Sequence, residues 1–438
     1  MSTKFPTHSR RYLHRLFVAS VLFVYSLLAT AAPAKLNTSV SYWAGVEYDS
    51  GKMAINRLSL SSDLKKRWGR RWQLDVEASV DWANDETGLG STAAYAPLSS
   101  PFVRTEHFRA QIERATLRYR HKAFSATVGK QVLAWGVLDG LRIADRADPV
   151  RLRDFVLAER RPERLGRWGL RVRSKLGKTA LDVAALFDNT GDQAPTLGGA
   201  FFPTATRSLG GIQYTSLMGI SELNVESRTH ALSQTTWALK LARRVGAFDV
   251  QVIGLHGPDT QPVIVPRSAS EIALAYPTRS LAAVSVQRAL GPAVIRFESA
   301  YIPDQRVNLS SPGQQEEVGR LLAGVGVDFR PGGRWFVNAQ LGLDQLDRGE
   351  SSYARPRTDL IGTLRMQRNY VQDRLLFKAE LIGSLRDGDG YLGTSLAWQF
   401  NDAFKAAIGS DVLFGNQDRL FGQFNQRSRF WLRLTYVL

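Results

Sequence analysis

Arginine is the residue type in this sequence whose number and spacing most clearly suggest a chemical role. Ten arginines fall within 32 residues, in and just after the segment 136–166. A guanidinium group stays charged and presents paired donors to a carboxylate or a phosphate. Rings of such groups in a pore select for anions. The candidate pore-lining or substrate-binding residues, two of them on an earlier predicted strand, are Arg114, Arg118, Arg142, Arg146, Arg151, Arg153, Arg160, Arg161, Arg164, Arg167, Arg171 and Arg173.

The same arginines also have a purely structural interpretation. They could pair with acidic neighbours, or with lipopolysaccharide phosphates at a cell surface, and in either case they would not select a solute. The acidic residues in reach are Asp145, Asp148, Asp154, Glu159 and Glu163 of the same segment, and Asp75, Glu77 and Asp81 of a nearby predicted strand. The sequence leaves both interpretations open.

Other kinds of active chemistry have little support. There is no cysteine, which excludes disulfides and thiolate ligands, and only four of the six histidines lie beyond residue 34. We therefore predict no metal site, no cofactor and no catalytic residues. Three features that resemble enzyme motifs are better explained as a hairpin turn and as solvated histidines. They are Gly177-Lys178-Thr179, His107 beside Glu106 and Asp81, and His256 beside Asp259.

A period of two residues dominates the rest of the chain. Residues 72–82 alternate apolar and polar over eleven positions and carry tryptophan at both ends. Alternation of this kind gives a strand one apolar and one polar face, and its length fits a tilted transmembrane strand with interfacial aromatic residues. The pattern recurs at 40–48, 321–329, 335–343, 375–381 and 392–400.

The connections between these segments alternate between short and long. Short turns with hairpin chemistry lie near 67–69, 121–122, 176–177, 245–246, 290–292, 331–333, 371–373 and 401–403, and one long-side connection is also short, at 387–390. Longer polar stretches lie near 83–105, 136–166, 188–230, 257–275, 302–315, 347–357 and 415–426. This asymmetry is typical of a bacterial barrel with its turns in the periplasm. The sequence predicts an all-β, antiparallel transmembrane β-barrel of about 18 strands (16–20), with Ile212 to Val225 either adding two strands or folding into the lumen.

The two ends of the chain agree with a barrel. Residues 1–34 have a basic start, an apolar core and small residues before 35, as a cleavable signal peptide does. Arg10-Arg11 partly resembles a twin-arginine signal. Residues 35–438 would then form the barrel. The last segment, Phe430 to Leu438, resembles the closing strand that the barrel assembly machinery recognises, although Leu438 replaces the usual phenylalanine.

The segment 136–166 is the third long connection, which in porins folds inward, so we expect it to narrow the lumen. Asp148-Pro149 predicts a short helix over about 149–160. The strand after the segment places Arg167, Arg171 and Arg173 on its polar face, which alternation makes luminal. Most tryptophans lie near strand ends and are predicted girdle anchors, with Trp43 facing inward: Trp68, Trp72, Trp82, Trp135, Trp335, Trp398 and Trp431.

A local motif adds a resemblance to a known family. Gly129-Lys130-Gln131, Trp135-Gly136, Asp139 and the run from Asp148-Pro149 to Leu157 resemble the GRQ-x₃-WG…D…NP-x-D-x-R-x-F-x-L pattern of bacterial outer-membrane barrels with poorly defined substrates. Asp148 stands where that family more often has asparagine. The resemblance covers about 30 residues and implies a porin-like barrel in a membrane, without indicating a substrate.

The sequence thus predicts a passive channel in the outer membrane that admits small anionic or acidic solutes. The formal net charge of +17 becomes +13 when the four basic residues of the predicted signal peptide are removed. The expected partners are outer-membrane lipid, lipopolysaccharide, the barrel assembly machinery and the solutes, with homo-oligomers left open and no nucleic acid. Two alternatives remain: an exporter of acidic polysaccharide, and the barrel of a lipid or hydrophobic-compound transport system.

Overall fold

The structure is a computed structural model of the chain. It describes residues 34–155, 163–193, 195, 198–203, 205, 222–225, 234–268, 271–311, 313–347 and 352–438. The predicted signal peptide and the predicted site residues Arg160 and Arg161 therefore lie outside the described residues, apart from Ala34, which begins the first strand. In the described part of the chain, no helix is both long and apolar enough to cross a membrane.

The described residues form a closed antiparallel barrel of 18 strands, as predicted. Each strand pairs with the next along the chain, and the last pairs with the first, where Trp43 lies opposite Arg433. The strands are β1 Ala34–Glu47, β2 Met53–Trp68, β3 Trp72–Ala83, β4 Phe108–Arg120, β5 Phe124–Gln131, β6 Arg167–Leu176, β7 Thr179–Leu186, β8 Thr236–Val245, β9 Phe248–Pro258, β10 Thr278–Leu290, β11 Ala293–Asn308, β12 Gln315–Phe329, β13 Trp335–Leu346, β14 Thr358–Tyr370, β15 Leu375–Ser384, β16 Asp389–Gln399, β17 Phe404–Phe414 and β18 Arg429–Val437.

The alternation of side chains divides the wall into an apolar outside and a mostly polar inside. Outward residues remain exposed, for example Val252, Ile408 and Phe430 at 53%, 56% and 59%. On β18, by contrast, the inward residues Arg429 and Trp431 are buried. An exposed apolar belt of this extent on every strand is stable only against another apolar phase.

The turns lie where the sequence places them, and all eight connect strands at one end of the barrel, called here the turn side. The other end, the loop side, carries the long connections, including 84–107, 132–166, 187–235 and 259–277. One long segment is shorter than predicted: residues 302–308 continue β11, so the loop before β12 spans only 309–314. A bulge between Ile302 and Gln305 hides the strand period there.

The uncertain region before β8 adds no barrel strand in its described part. Glu222–Val225 is a short strand that pairs with Glu271–Ala275, which in turn pairs with Val263–Pro266. This three-stranded sheet belongs to the loop side, because two of its strands lie in the connection from β9 to β10. The described residues between β7 and β8 therefore build a loop structure and leave the strand count at 18.

Candidate solute-binding surface of the lumen

The third loop, residues 132–166, packs against the inner wall of the barrel. Its Leu133, Trp135, Leu138 and Ile143 belong to one buried apolar cluster with inward residues of β7 to β12, such as Leu281. The loop leaves the wall at β5 and returns at β6, yet it contacts strands far around the barrel. This loop therefore crosses the inside of the barrel.

Two inward glycines of β12 make room for the loop tip. A Cβ atom on Gly324 would lie 2.6 Å from Cδ1 of Leu138, and one on Gly326 would lie 2.8 Å from its Cδ2. On β13, a Cβ atom on Gly342 would lie 3.0 Å from Leu141. Because inward side chains at these positions would occupy the space of the two leucines, the glycines form a seat for the loop.

A buried carboxylate fixes the same tip. Glu298 of β11 is fully buried and accepts hydrogen bonds from the backbone amides of Val137, Leu138 and Ala144. The bond to Leu138 measures 3.2 Å and that to Ala144 3.1 Å. Hydrogen bonds to a charged acceptor are stronger than neutral ones, so Glu298 anchors the loop at the point where the glycine seat receives it.

The other end of the loop is held by ion pairs and aromatic contacts. Asp154 lies 2.6 Å from Arg57 of β2 and 3.0 Å from Arg153. Burial alone would raise the pKa of Asp154, but the guanidinium groups of Arg57 and Arg153 lower it below its ordinary value. Next to it, Phe155 packs against Phe421 and Phe424 of the last loop, with ring centroids 5.4 and 4.9 Å apart. These contacts bind the loop to the opposite part of the mouth.

The predicted helix is wrong over its described part, 149–155. Val150–Arg151 instead forms a two-residue strand with Glu163–Arg164. The carboxylate of Asp148, the expected helix cap, accepts hydrogen bonds from the backbone amides of Leu133 and Ala134, at 3.0 and 2.9 Å. Burial raises the pKa of Asp148. The carboxylate of Asp148 therefore closes the base of the loop instead of capping a helix, and no helix starts at this position.

Several predicted site arginines are paired with carboxylates. Arg151 lies 2.5 Å from Glu163 and 3.3 Å from Glu113, and Arg164 pairs with Asp145. Arg153 pairs with Asp154, and burial lowers the pKa of Arg153 to about 10. On the wall, Arg114 lies 2.6 Å from Glu77. These four arginines therefore form pairs with acidic neighbours, as the structural interpretation of the sequence expects.

The remaining described loop arginines bind mainly backbone and amide oxygens. Arg167 is buried and donates to the carbonyl of Ala147 at 2.7 Å and to Thr236 at 3.2 Å. Arg142 donates to backbone carbonyls and lies 4.0 Å from Asp192. Arg146 is half-buried and donates to the carbonyl of Arg142 at 2.8 Å. These residues hold the loop in shape.

A basic surface lies on the turn side of the loop. Two adjacent cross-strand rows on β3 to β8 face the lumen, and we call them the turn-side rows: Gln73, Arg118, Thr127, Arg171 and Ala184; then Arg120, Ser125, Arg173, Asp182 and Lys240. They contain five cationic side chains and one acidic one. Arg171 lies 2.5 Å from Asp182. Arg118 and Arg173 form no ion pair and no hydrogen bond with any described residue, and both are half-buried.

The loop touches these rows through Trp135. The centroid of its indole ring lies 5.4 Å from Nζ of Lys240 and 5.9 Å from the guanidinium carbon of Arg171. Trp135 is buried inside the barrel, so its prediction as a girdle anchor is wrong. Trp431 is wrong for the same reason, because it faces inward and packs edge-on against Trp43 at 6.0 Å. Trp72 is 43% exposed on the outer wall, as predicted.

The two histidines of the enzyme-like features differ in their surroundings, and His256 lies on a strand and not in a solvated loop. His107 contacts the backbone carbonyl of Ala83 at 3.1 Å. His256 lies on the outer face beside Ser280, whereas Asp259 is buried and pairs with Arg279 at 2.8 Å. No group of three or more residues that could hold a metal ion occurs within the part of the chain that the structure describes.

Three features of the lumen were missed by sequence reasoning. Lys240 sits on a strand whose inward face is otherwise uncharged near Trp135, and only the register of β7 and β8 places it beside Arg173 and Asp182. The seat and the anchor of the loop, Gly324 and Glu298, lie about 160 to 190 residues beyond Leu138 at the loop tip. No local pattern links them to it, although a glycine on an otherwise regular strand does signal a close approach.

Comparison with known proteins shows the fold of this chain but not its family or its function. Neither a family model nor a curated protein sequence matches the chain. Among solved structures, Pseudomonas aeruginosa OccK5 (OpdH) is similar at a TM-score of 0.50 and 9% identity, covering 92% of this chain and 98% of that one. OccK8 (OprE) of the same organism has a TM-score of 0.50 at 10% identity, with the same coverage. Acinetobacter baumannii OccAB3 also has 0.50 at 10%, covering 93% and 99%.

The chain shares their fold. The similarity extends over the whole barrel, since almost the full length of each neighbour is covered. Identities of about a tenth show the architecture alone, so any function of this barrel has to be argued from its own lumen.

Proposed function

We propose that this protein is a passive outer-membrane channel that favours small anionic solutes. The observation that carries the proposal is the presence of Arg118 and Arg173 in the turn-side rows. Both are luminal arginines without a carboxylate partner among the described residues. The location is supported by the exposed apolar belt, which needs lipid, and by the signal peptide that we predict from residues 1–34.

The electrostatic argument depends on the balance of charge in the rows. Asp182 offsets Arg171, which it contacts at 2.5 Å. Of the remaining cations, Arg118 and Arg120 on β4 and Lys240 on β8 each lie two strands, about 10 Å, from Arg173 on β6. Low-dielectric walls focus the field of such charges into the passage. The rows therefore raise the local concentration of anions without holding them tightly.

The loop adds selection by size. It crosses the lumen beside the rows and touches them through Trp135, so a solute that passes the loop meets the rows directly. Anchored by Glu298 and by Asp154 at its two ends, the loop is fixed against the wall. A rigid constriction next to a basic surface suits small solutes that carry a carboxylate or a phosphate.

Flux measurements on purified protein test this proposal. The refolded barrel in liposomes should admit a small monocarboxylate faster than an alkylammonium ion of equal size, and the difference should shrink as salt is raised. Equal rates for the two ions would contradict anion preference while leaving a channel. The absence of flux for both would contradict the channel itself.

A further inference from the structure

Near the turn-side end of β14, an arginine, Arg368, stands on the outer, lipid-facing wall. Leu364, Met366 and Arg368 alternate outward along β14, and Leu364 is 38% exposed. Arg368 lies two residues from Tyr370, where β14 ends at the turn side. A charge on this face is tolerated only close to the headgroups. The position near the strand end satisfies that requirement.

Aromatic rings surround this arginine. Its cross-strand neighbours are Trp335 on β13 and Phe377 on β15. The guanidinium carbon of Arg368 lies 5.3 Å from the ring centroid of Trp335 and 4.5 Å from that of Tyr370. Trp335 and Phe377 are themselves in edge contact at 6.3 Å. The rings hold the guanidinium group by cation–π attraction but do not supply a hydrogen-bond acceptor.

Arg368 has a hydrogen-bond donor that no described residue of the protein satisfies. Its Nε is buried and has no hydrogen-bond partner among the described residues, and no described carboxylate forms an ion pair with it. A buried donor without an acceptor is costly. Two further arginines are exposed at this end of the barrel and also lack described ion pairs: Arg334, in the turn before β13, and Arg374, in the turn after β14. The three arginines therefore form a positive cluster at the level of the headgroups, where an anion would supply the missing hydrogen-bond acceptor.

We propose that Arg368, assisted by Arg334 and Arg374, binds the phosphate of an anionic glycerophospholipid in the turn-side leaflet. The guanidinium fork donates to the phosphate oxygens, while the acyl chains lie along Leu364 and Met366 on the same face. The inference rests on the proposed function only in so far as the barrel spans a membrane. It is independent of which solute the lumen admits.

Native mass spectrometry of the detergent-solubilised barrel tests the site. With added phosphatidylglycerol and phosphatidylcholine, the barrel should retain phosphatidylglycerol preferentially. Arg368→Gln should weaken that retention about tenfold, as expected for the loss of a charge-assisted hydrogen bond. The matched control is Arg306→Gln, which removes another outward arginine, at the loop side, that pairs with Glu317 at 3.5 Å. The control should retain lipid as the wild type does.

Four outcomes would overturn the proposal. Equal retention of the two lipids would remove the preference for anionic lipid, and unchanged retention in Arg368→Gln would remove the residue. Displacement of lipid by millimolar inorganic phosphate would show a site for free phosphate. If Arg368→Gln fails to assemble, the double variant Arg334→Gln/Arg374→Gln should reduce retention severalfold, and unchanged retention there would also overturn the proposal. Ion flux through each variant separates this test from that of the proposed function, because the channel should still conduct.

Discussion

At the scale of residues, the lumen contains charged groups with two different tasks. Arg57 and Arg153 are buried, and the carboxylates of Asp85 and Asp154 offset their charges, which fixes the third loop. Arg118 and Arg173 are half-buried, unpaired among the described residues, and face the passage. The sequence selects Arg118, Arg153 and Arg173 as candidates but not Arg57. Strand alternation indicates which face a residue takes, but not which carboxylate from a distant loop will reach it.

The buried ion pair leads to a prediction about acid. Burial alone would raise the pKa of Asp154, but Arg57 and Arg153 lower it. An acid with a lowered folded pKa stabilises the protein above its unfolded pKa, about 3.9, and loses that contribution as the pH falls through the folded value. We expect the loop to stay docked at pH 5 and to loosen only in stronger acid. Single-channel conductance should therefore stay unchanged from pH 7 down to pH 4, and a rise within this range would contradict the assigned ion pairs.

Removing the carboxylate of Asp154 should destabilise the docked loop already at neutral pH. Asp154→Asn leaves Arg153 buried without its partner, which costs about 3–5 kcal/mol. The matched control is Asp63→Asn, whose pair with Lys65 is exposed and contributes about 0–1 kcal/mol. Thermal unfolding of both variants at pH 7 gives the comparison. Equal melting temperatures for the two would show that the Asp154 pair does not hold the loop.

At the scale of elements, strands were predictable and the path of the loop was not. The period of two fixes which residues of β3 and β18 face lipid, and eight short turns fix how the strands connect. The loop has no such period. Its position depends on the seat at Gly324 and on Glu298, which are distant in sequence and recognisable only once β11 and β12 are placed opposite the loop. The predicted helix failed because Asp148 binds the backbone of residues 133 and 134 instead of capping residues ahead of it.

The glycine seat can be tested by filling it. Gly324→Val places side-chain atoms where Leu138 now lies, because even a Cβ would be 2.6 Å from Cδ1 of Leu138. Valine suits a strand, so the barrel should form while the loop tip is displaced. We expect a larger and noisier single-channel conductance. The control is Gly254→Val, where a Cβ meets nothing within 4 Å. If both variants conduct like the wild type, the loop does not set the size of the passage.

At the scale of the whole molecule, closure joins the two ends of the described chain. β18 pairs with β1 and presents Phe430, Leu432 and Tyr436 to the outside. Tyr436→Asp puts a charge on this lipid face, at a cost of up to about 2–4 kcal/mol at mid-membrane and less near the interface. We expect poor assembly and degradation. Thr435→Asp is the matched control, since Thr435 faces inward and contacts Ser41 at 3.1 Å. Quantities of heat-modifiable protein in membranes distinguish the two, and equal quantities would contradict the assigned faces.

Ion selectivity of single channels tests the central claim, that unpaired luminal arginines give the passage its preference. In a tenfold gradient of dilute salt, the wild-type reversal potential should indicate anion preference, and the preference should fade near 1 M, where screening shortens to about 3 Å. Arg118→Gln/Arg173→Gln should lose it at low salt. The control Arg114→Gln/Glu77→Gln removes a luminal pair joined at 2.6 Å without changing net charge, and should keep it. An unchanged reversal potential in Arg118→Gln/Arg173→Gln would show that these two arginines do not give the passage its preference.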